Sequence, residues 1–95
     1  MTDFLGTQEE YEAYAREADR LTTLADTAVE TARATLSRAA IQAATSACHD
    51  AAAMHSRADN SHRTMTGLNV PRHTTGYARF VELARSLRAL RPTTK

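Results

Sequence analysis

A chain of 95 residues with a formal net charge of +1, 42% hydrophobic and only 5% aromatic, has the size of one small domain. No stretch approaches the roughly 20 apolar residues needed to cross a bilayer, the acidic start lacks the pattern of an ordinary signal peptide, and the lone Cys48 excludes an internal disulfide. The expectation is a single cytoplasmic domain over residues 1–95 with flexible ends at 1–6 and 92–95, no membrane partner and no cofactor.

Of the 40 hydrophobic residues 19 are Ala, so few bulky side chains are left to build a core. A buried large side chain is worth roughly 1.5–3 kcal/mol and an Ala methyl much less. Such a chain packs its helices closely through alanine or shares its core with a second copy, and a homodimer is expected. Eleven Arg against one Lys, with abundant Ala, points to a GC-rich bacterial genome or its mobile elements. The small net charge hides a split, −6 over residues 1–30 and +6 over residues 57–95. Either the two ends lie against each other, within one chain or between two, or the basic end binds nucleic acid.

Residues 7–66 contain no Gly or Pro. Thr7 is read as the first N-cap, with Glu10 completing a capping box and Phe4 and Leu5 folding back as a staple. Tyr11, Tyr14, Ala18, Leu21, Ala25, Ala28, Ala32 and Leu36 then recur at three-and-four spacing, an amphipathic stripe. Thr22-Thr23 and Asp26-Thr27 are the weakest helix formers in the run, and Thr27 with Glu30 offers a second capping box. A break between Thr22 and Ser37 is therefore expected, giving helices of roughly 8–24 and 27–58. The alanines of 39–55 face several directions, which predicts a central helix packed on every side. The Gly and Pro of 64–75 mark a loop. A third helix over 75–91 is capped by Thr74 or Thr75, with Tyr77, Phe80, Leu83, Ala84, Leu87 and Leu90 on one face and Pro92 as its stop. The fold class is all-α, a three- or four-helix bundle.

Cys48, His55 and His62 are seven residues apart. On one helix that is two turns, about 10 Å, too far for a single ion, so no metal site is assigned. Cys48 and His49 diverge by about 100° on a helix and make no thiolate pair, so Cys48 is expected to pack. Neither a phosphate-cradling glycine loop nor a zinc-protease motif is present. The arginines of the last helix and the loop before it, Arg72, Arg79, Arg85, Arg88 and Arg91, form a candidate binding surface for a protein or nucleic-acid partner.

Arg57-Ala58-Asp59-Asn60-Ser61-His62, preceded by Arg38-Ala39-Ala40-Ile41-Gln42-Ala43-Ala44 and followed by His73 to Leu83, resembles the HEPN domains of prokaryotic toxin and antitoxin modules. The resemblance implies a small, often dimeric helical bundle and, in its catalytic members, metal-independent RNA cleavage. Arg57 would then stabilise phosphate charge and His62 would move a proton at a ribose hydroxyl. The chain departs from that pattern at Ala58, where a polar residue is usual. Asp19-Arg20-Leu21, Arg33 to Arg38 and His55-Ser56-Arg57 are also similar to the all-helical chorismate mutases. Those enzymes hold substrate with a Lys on the first helix, and the only Lys here is Lys95. The leading expectation is a small non-catalytic interaction or regulatory protein, with the ribonuclease and nucleic-acid-binding readings as alternatives.

Overall fold

The computed structural model describes residues 8–92. Over that span the chain forms three α-helices, α1 (Gln8–Thr35), α2 (Arg38–Thr66) and α3 (Pro71–Arg88), and no strand. The Thr7 cap, the Phe4 and Leu5 staple and the tail beyond Pro92 lie outside the described residues. Two short links, Leu36-Ser37 and residues 67–70, make the helices run up, down and up, with α2 packed against both neighbours. No described helix is long and apolar enough to cross a membrane.

The first break falls at the far end of the expected window and corrects the boundaries 8–24 and 27–58. Thr23 does not end the helix, because its Oγ1 donates to the Asp19 carbonyl at 3.3 Å and so stays satisfied inside the turn. Ala18, Ala25, Val29 and Ala32 carry one buried stripe through Thr27, so the second capping box goes unused. The helix stops where Leu36 takes a left-handed φ of 52° and its N–H reaches the Ala32 carbonyl at 2.8 Å. Ser37 then caps α2, its Oγ accepting from the Ala40 N–H at 3.1 Å.

α2 also runs past the polar stretch expected to fray it, because Asp59 and Ser61 face inward and are buried. It ends at Gly67, whose φ of 79° suits a residue without a Cβ and whose N–H donates to the Arg63 carbonyl at 2.7 Å. α3 begins at Pro71 rather than after Thr74 or Thr75. Its N-cap residue, Val70, offers no side-chain acceptor. Asp59 of α2 supplies it instead, accepting from the Val70 N–H at 2.7 Å, from Thr74 Oγ1 at 2.9 Å and from Asn69 Nδ2 at 2.9 Å. Burial pushes the Asp59 carboxyl up, but those three bonds and nearby Arg63 outweigh it and hold the pKa below the usual range. α3 ends at Arg88, three residues short of the expected boundary at 91.

A seven-residue spacing runs through the buried positions: Ala18, Ala25 and Ala32 on α1; Cys48 and His55, and Ala44, Ala51 and Ala58, on α2; His73, Phe80 and Leu87 on α3. That is the repeat of helices packed side by side at a shallow crossing. Nine of the fourteen buried hydrophobic residues are Ala, so the bundle is slender, 52 × 19 × 16 Å. α2 is not packed on every side: Ala39, Ala43 and Ala53 lie exposed on the face away from both neighbours. Two flanking helices cover only two of its sides.

The charge split is answered within the chain. Arg72 meets Asp19 at 2.7 Å and Arg79 meets Asp26 at 2.5 Å, two rungs at the same offset between the parallel α1 and α3. All four side chains are about half exposed, so each rung contributes little energy and mainly fixes register.

Candidate functional site at a buried histidine pair

Four polar side chains meet inside the bundle, where α1, α2 and α3 come together. His55 of α2 and His73 of α3 share a hydrogen bond between their Nδ1 atoms at 2.9 Å. The outer nitrogen of each ring is also engaged: His73 Nε2 with Tyr11 Oη at 3.2 Å, and His55 Nε2 with Thr22 Oγ1 at 2.8 Å. Both rings are buried, His73 completely.

Packing holds the rings in place. His55 lies nearly parallel to Phe80, at 10° and 6.1 Å between centroids, while Tyr11 stands edge-on to both His73 and His62. Gly76 lets α3 approach, since a Cβ there would come within 2.8 Å of two His55 ring atoms. Sequence and helix spacing set this up: His73 precedes Phe80 by the same two turns that separate His55 from Cys48, so each His occupies a core position of its helix.

One proton must lie between the two Nδ1 atoms, and it admits two arrangements. If His55 donates, its Nε2 accepts from the Thr22 hydroxyl and His73 donates to Tyr11. If His73 donates, Tyr11 donates to His73 and His55 donates to Thr22. Both satisfy every ring nitrogen, so the four groups form a reversible line for a neutral pair. Burial lowers the His73 pKa to about 4, aided by the positive charge of Arg72 and by His55 and opposed by Asp19 and Asp59. His55 is lowered by burial and by Arg72 and Arg79, against Asp19. At neutral pH the pair is therefore uncharged.

The Thr22 end of the line reaches an open cleft of about 480 Å³ lined by Asp19, Thr22, His55, Arg72, Thr75, Arg79 and Phe80, among others. Its two guanidiniums are held by Asp19 and by Asp26. The hydroxyls this cleft offers are those of Thr75 and of Thr22, the latter bonded to His55 Nε2. Cys48 is fully buried, and burial together with Asp26 raises its thiol pKa against Arg79 and Arg33, so it packs as expected and is chemically quiet. Among the described residues no three His, Cys, Asp or Glu side chains gather as metal ligands.

The residues singled out from sequence lie apart from this cluster. Arg57 is exposed on α2. His62, five residues on, lies about 140° round the helix from it. Its Nδ1–H donates to the Leu68 carbonyl at 2.8 Å, tying down the α2–α3 loop. Within one chain Arg57 and His62 thus point to different faces. Arg72 and Arg79 are paired with α1, Arg85 with Glu82 of its own helix, and Arg88 and Arg91 flank a shallow depression at the end of α3. Sequence reasoning passed over Tyr11, Thr22, His73, Asp59 and Gly76 as site residues. The one signal that could have found His73 is its two-turn spacing from Phe80, the same that separates Cys48 from His55.

Comparison with protein-family models, curated proteins and solved structures finds no match for the chain.

Proposed function

We propose that the protein is a non-catalytic helical interaction module that works as a homodimer, its copies meeting at the end of the bundle where α3 ends beside the start of α2. The observation that carries this reading is an apolar groove of about 460 Å³ beside the start of α2, lined by Ile41, Leu87 and Leu90 with Thr45, Ser46, His49 and Arg88 around them. Eighteen residues of α3 reach roughly 27 Å, whereas the 29 of α2 reach roughly 43 Å. The surplus of α2 lies at its far end, since Asp59 already meets Val70 and Thr74, while Leu87 and Leu90 lie beside Ile41 and leave the groove open at the side of the bundle end. A second copy is the fitting occupant because the core it would complete is deficient in bulk, with nine alanines among fourteen buried hydrophobic residues.

Ion pairing supports the non-catalytic part of the reading: the α3 arginines nearest the polar cluster are already matched by acids of α1. Sedimentation equilibrium of wild type and Leu90→Glu tests the proposal. Leu90 lies outside α3 and only partly buried against the core, and far-ultraviolet circular dichroism of the variant checks that the helices are kept. Loss of one central anchor costs about 2 kcal/mol, a roughly 30-fold weaker dimer. A wild type that stays monomeric at high concentration overturns the reading. RNA cleavage that disappears in His62→Ala would replace it with the ribonuclease implied by the HEPN resemblance.

A further inference from the structure

The Nδ1–Nδ1 contact at 2.9 Å between His55 and His73 has room for one proton only. A first added proton is accommodated: the charged ring donates its Nδ1–H to the neutral one, and both Nε2–H groups donate outward to Tyr11 and Thr22 oxygens. A second puts two N–H groups and two positive rings face to face across the same gap. The link then becomes repulsive, and no rotation relieves it, because His55 is held between Phe80 and the bare face of Gly76.

We infer that the pair is an acid-sensitive latch whose double protonation releases the first half of α3 from the α1–α2 hairpin. The contacts concentrate there, since His73, Gly76 and Phe80 of α3 all pack on His55, whereas α1 and α2 are joined separately by their own stripe of buried alanines. The charged and titratable groups facing the pair are Tyr11 and Asp19 from α1, Asp59 and His62 from α2, and Arg72 and Arg79 from α3. The arginines oppose protonation and the two aspartates favour it. Asp59, held ionised by its hydrogen bonds, keeps Val70 and the α2–α3 loop attached, while Ala84 and Leu87 stay in the core, so the first half of α3 loosens between them rather than the whole chain unfolding. This inference goes beyond the interaction reading and stands whether or not the chain self-associates.

Amide hydrogen exchange, corrected for the intrinsic pH dependence, tests it between pH 7.5 and 4 at a concentration where the protein is monomeric. Opening of residues 73–80 should grow with two-proton steepness, up to about a hundredfold per pH unit below the free-histidine value, while Ala44 to Ala58 stay protected. Arg72→Gln, at a half-exposed position, removes a charge that opposes protonation of the closed pair, narrows its gap from free histidine and so moves the opening to lower pH. Asp19→Asn deepens that gap and moves the opening higher, and Asp50→Asn, exposed on α2, leaves it in place. The latch is overturned if neither charge variant moves the transition, if all three helices lose protection together, or if residues 73–80 stay protected with both rings charged.

Discussion

Replacing Gly76 with Ala is the sharpest test of the packing around the histidine pair, because local and tertiary effects have opposite signs. In an open helix interior Gly→Ala stabilises by about 1 kcal/mol. Here the new methyl would lie 2.8 Å from His55 Cδ2 and Nε2, closer than real Cβ contacts come. The ring has nowhere to retreat: Phe80 lies along it, and its two nitrogens are bonded to Thr22 and His73. Overpacking costs about 1–3 kcal/mol, and weakening a buried hydrogen bond adds about 1–3 kcal/mol. Set against the propensity gain, the net loss is about 1–5 kcal/mol. For a domain of this size each kcal/mol moves the midpoint by about 4–8 °C. Urea and thermal unfolding followed by far-ultraviolet circular dichroism give the number. In the background of His55→Ala, which removes the ring, the same substitution should cost nothing or stabilise. If Gly76→Ala alone stabilises the wild type by about 1 kcal/mol, then the ring does not lie against α3 and the account of the site is wrong.

Three further outcomes follow from other side chains. Ser61 Oγ is buried without a hydrogen-bond partner, so Ser61→Ala should stabilise by about 1 kcal/mol in urea unfolding; a loss would mean the hydroxyl is bonded. Asp59→Ala removes the acceptor for the Val70 N–H and for Thr74 and should cost about 1–3 kcal/mol, with exchange at the first turn of α3 rising first; equal loosening of α1 would refute the capping role. Cys48, fully buried with a raised thiol pKa, should react with a thiol reagent only at the rate of global unfolding, so that its rate tracks denaturant with the full unfolding slope; rapid labelling of the native protein would contradict its packing.

Helical class and the pairing of acidic and basic ends were legible from sequence because both rest on patterns summed over many residues. A long run without Gly or Pro leaves few other choices, and an acid excess in one helix finds a base excess in another, as Asp19 finds Arg72. Boundaries were less legible, since they hang on single residues. Leu36 ends α1 in a left-handed conformation that leucine seldom adopts, so nothing in its identity marked the turn. Thr27 and Glu30 looked like a cap yet stayed helical because the alanine stripe beneath them had a partner in α2. Pro71 did carry a helix-start signal, but the acceptor that completes it, Asp59, lies on another helix and is invisible to local reading. The histidine pair was hidden for the same reason. His55 and His73 are 18 residues apart, and only the antiparallel packing of α2 and α3 brings their Nδ1 atoms within bonding distance.

The turn at Leu36 and Ser37 also governs how the chain can meet copies of itself. One backward-bent leucine and one serine cap make the turn that lets α1 fold back on α2; were these positions to continue as helix, residues 8–66 would become a single rod of roughly 88 Å. Its alanine stripe would then find cover only on another molecule, which is the geometry of arm exchange between protomers. Leu36→Ala with Ser37→Ala, which removes the cap and favours straightening, should populate that exchanged form, seen in small-angle scattering as a particle longer than the wild type at the same concentration. Two link residues thus decide whether this sequence closes on itself or trades helices with its neighbour.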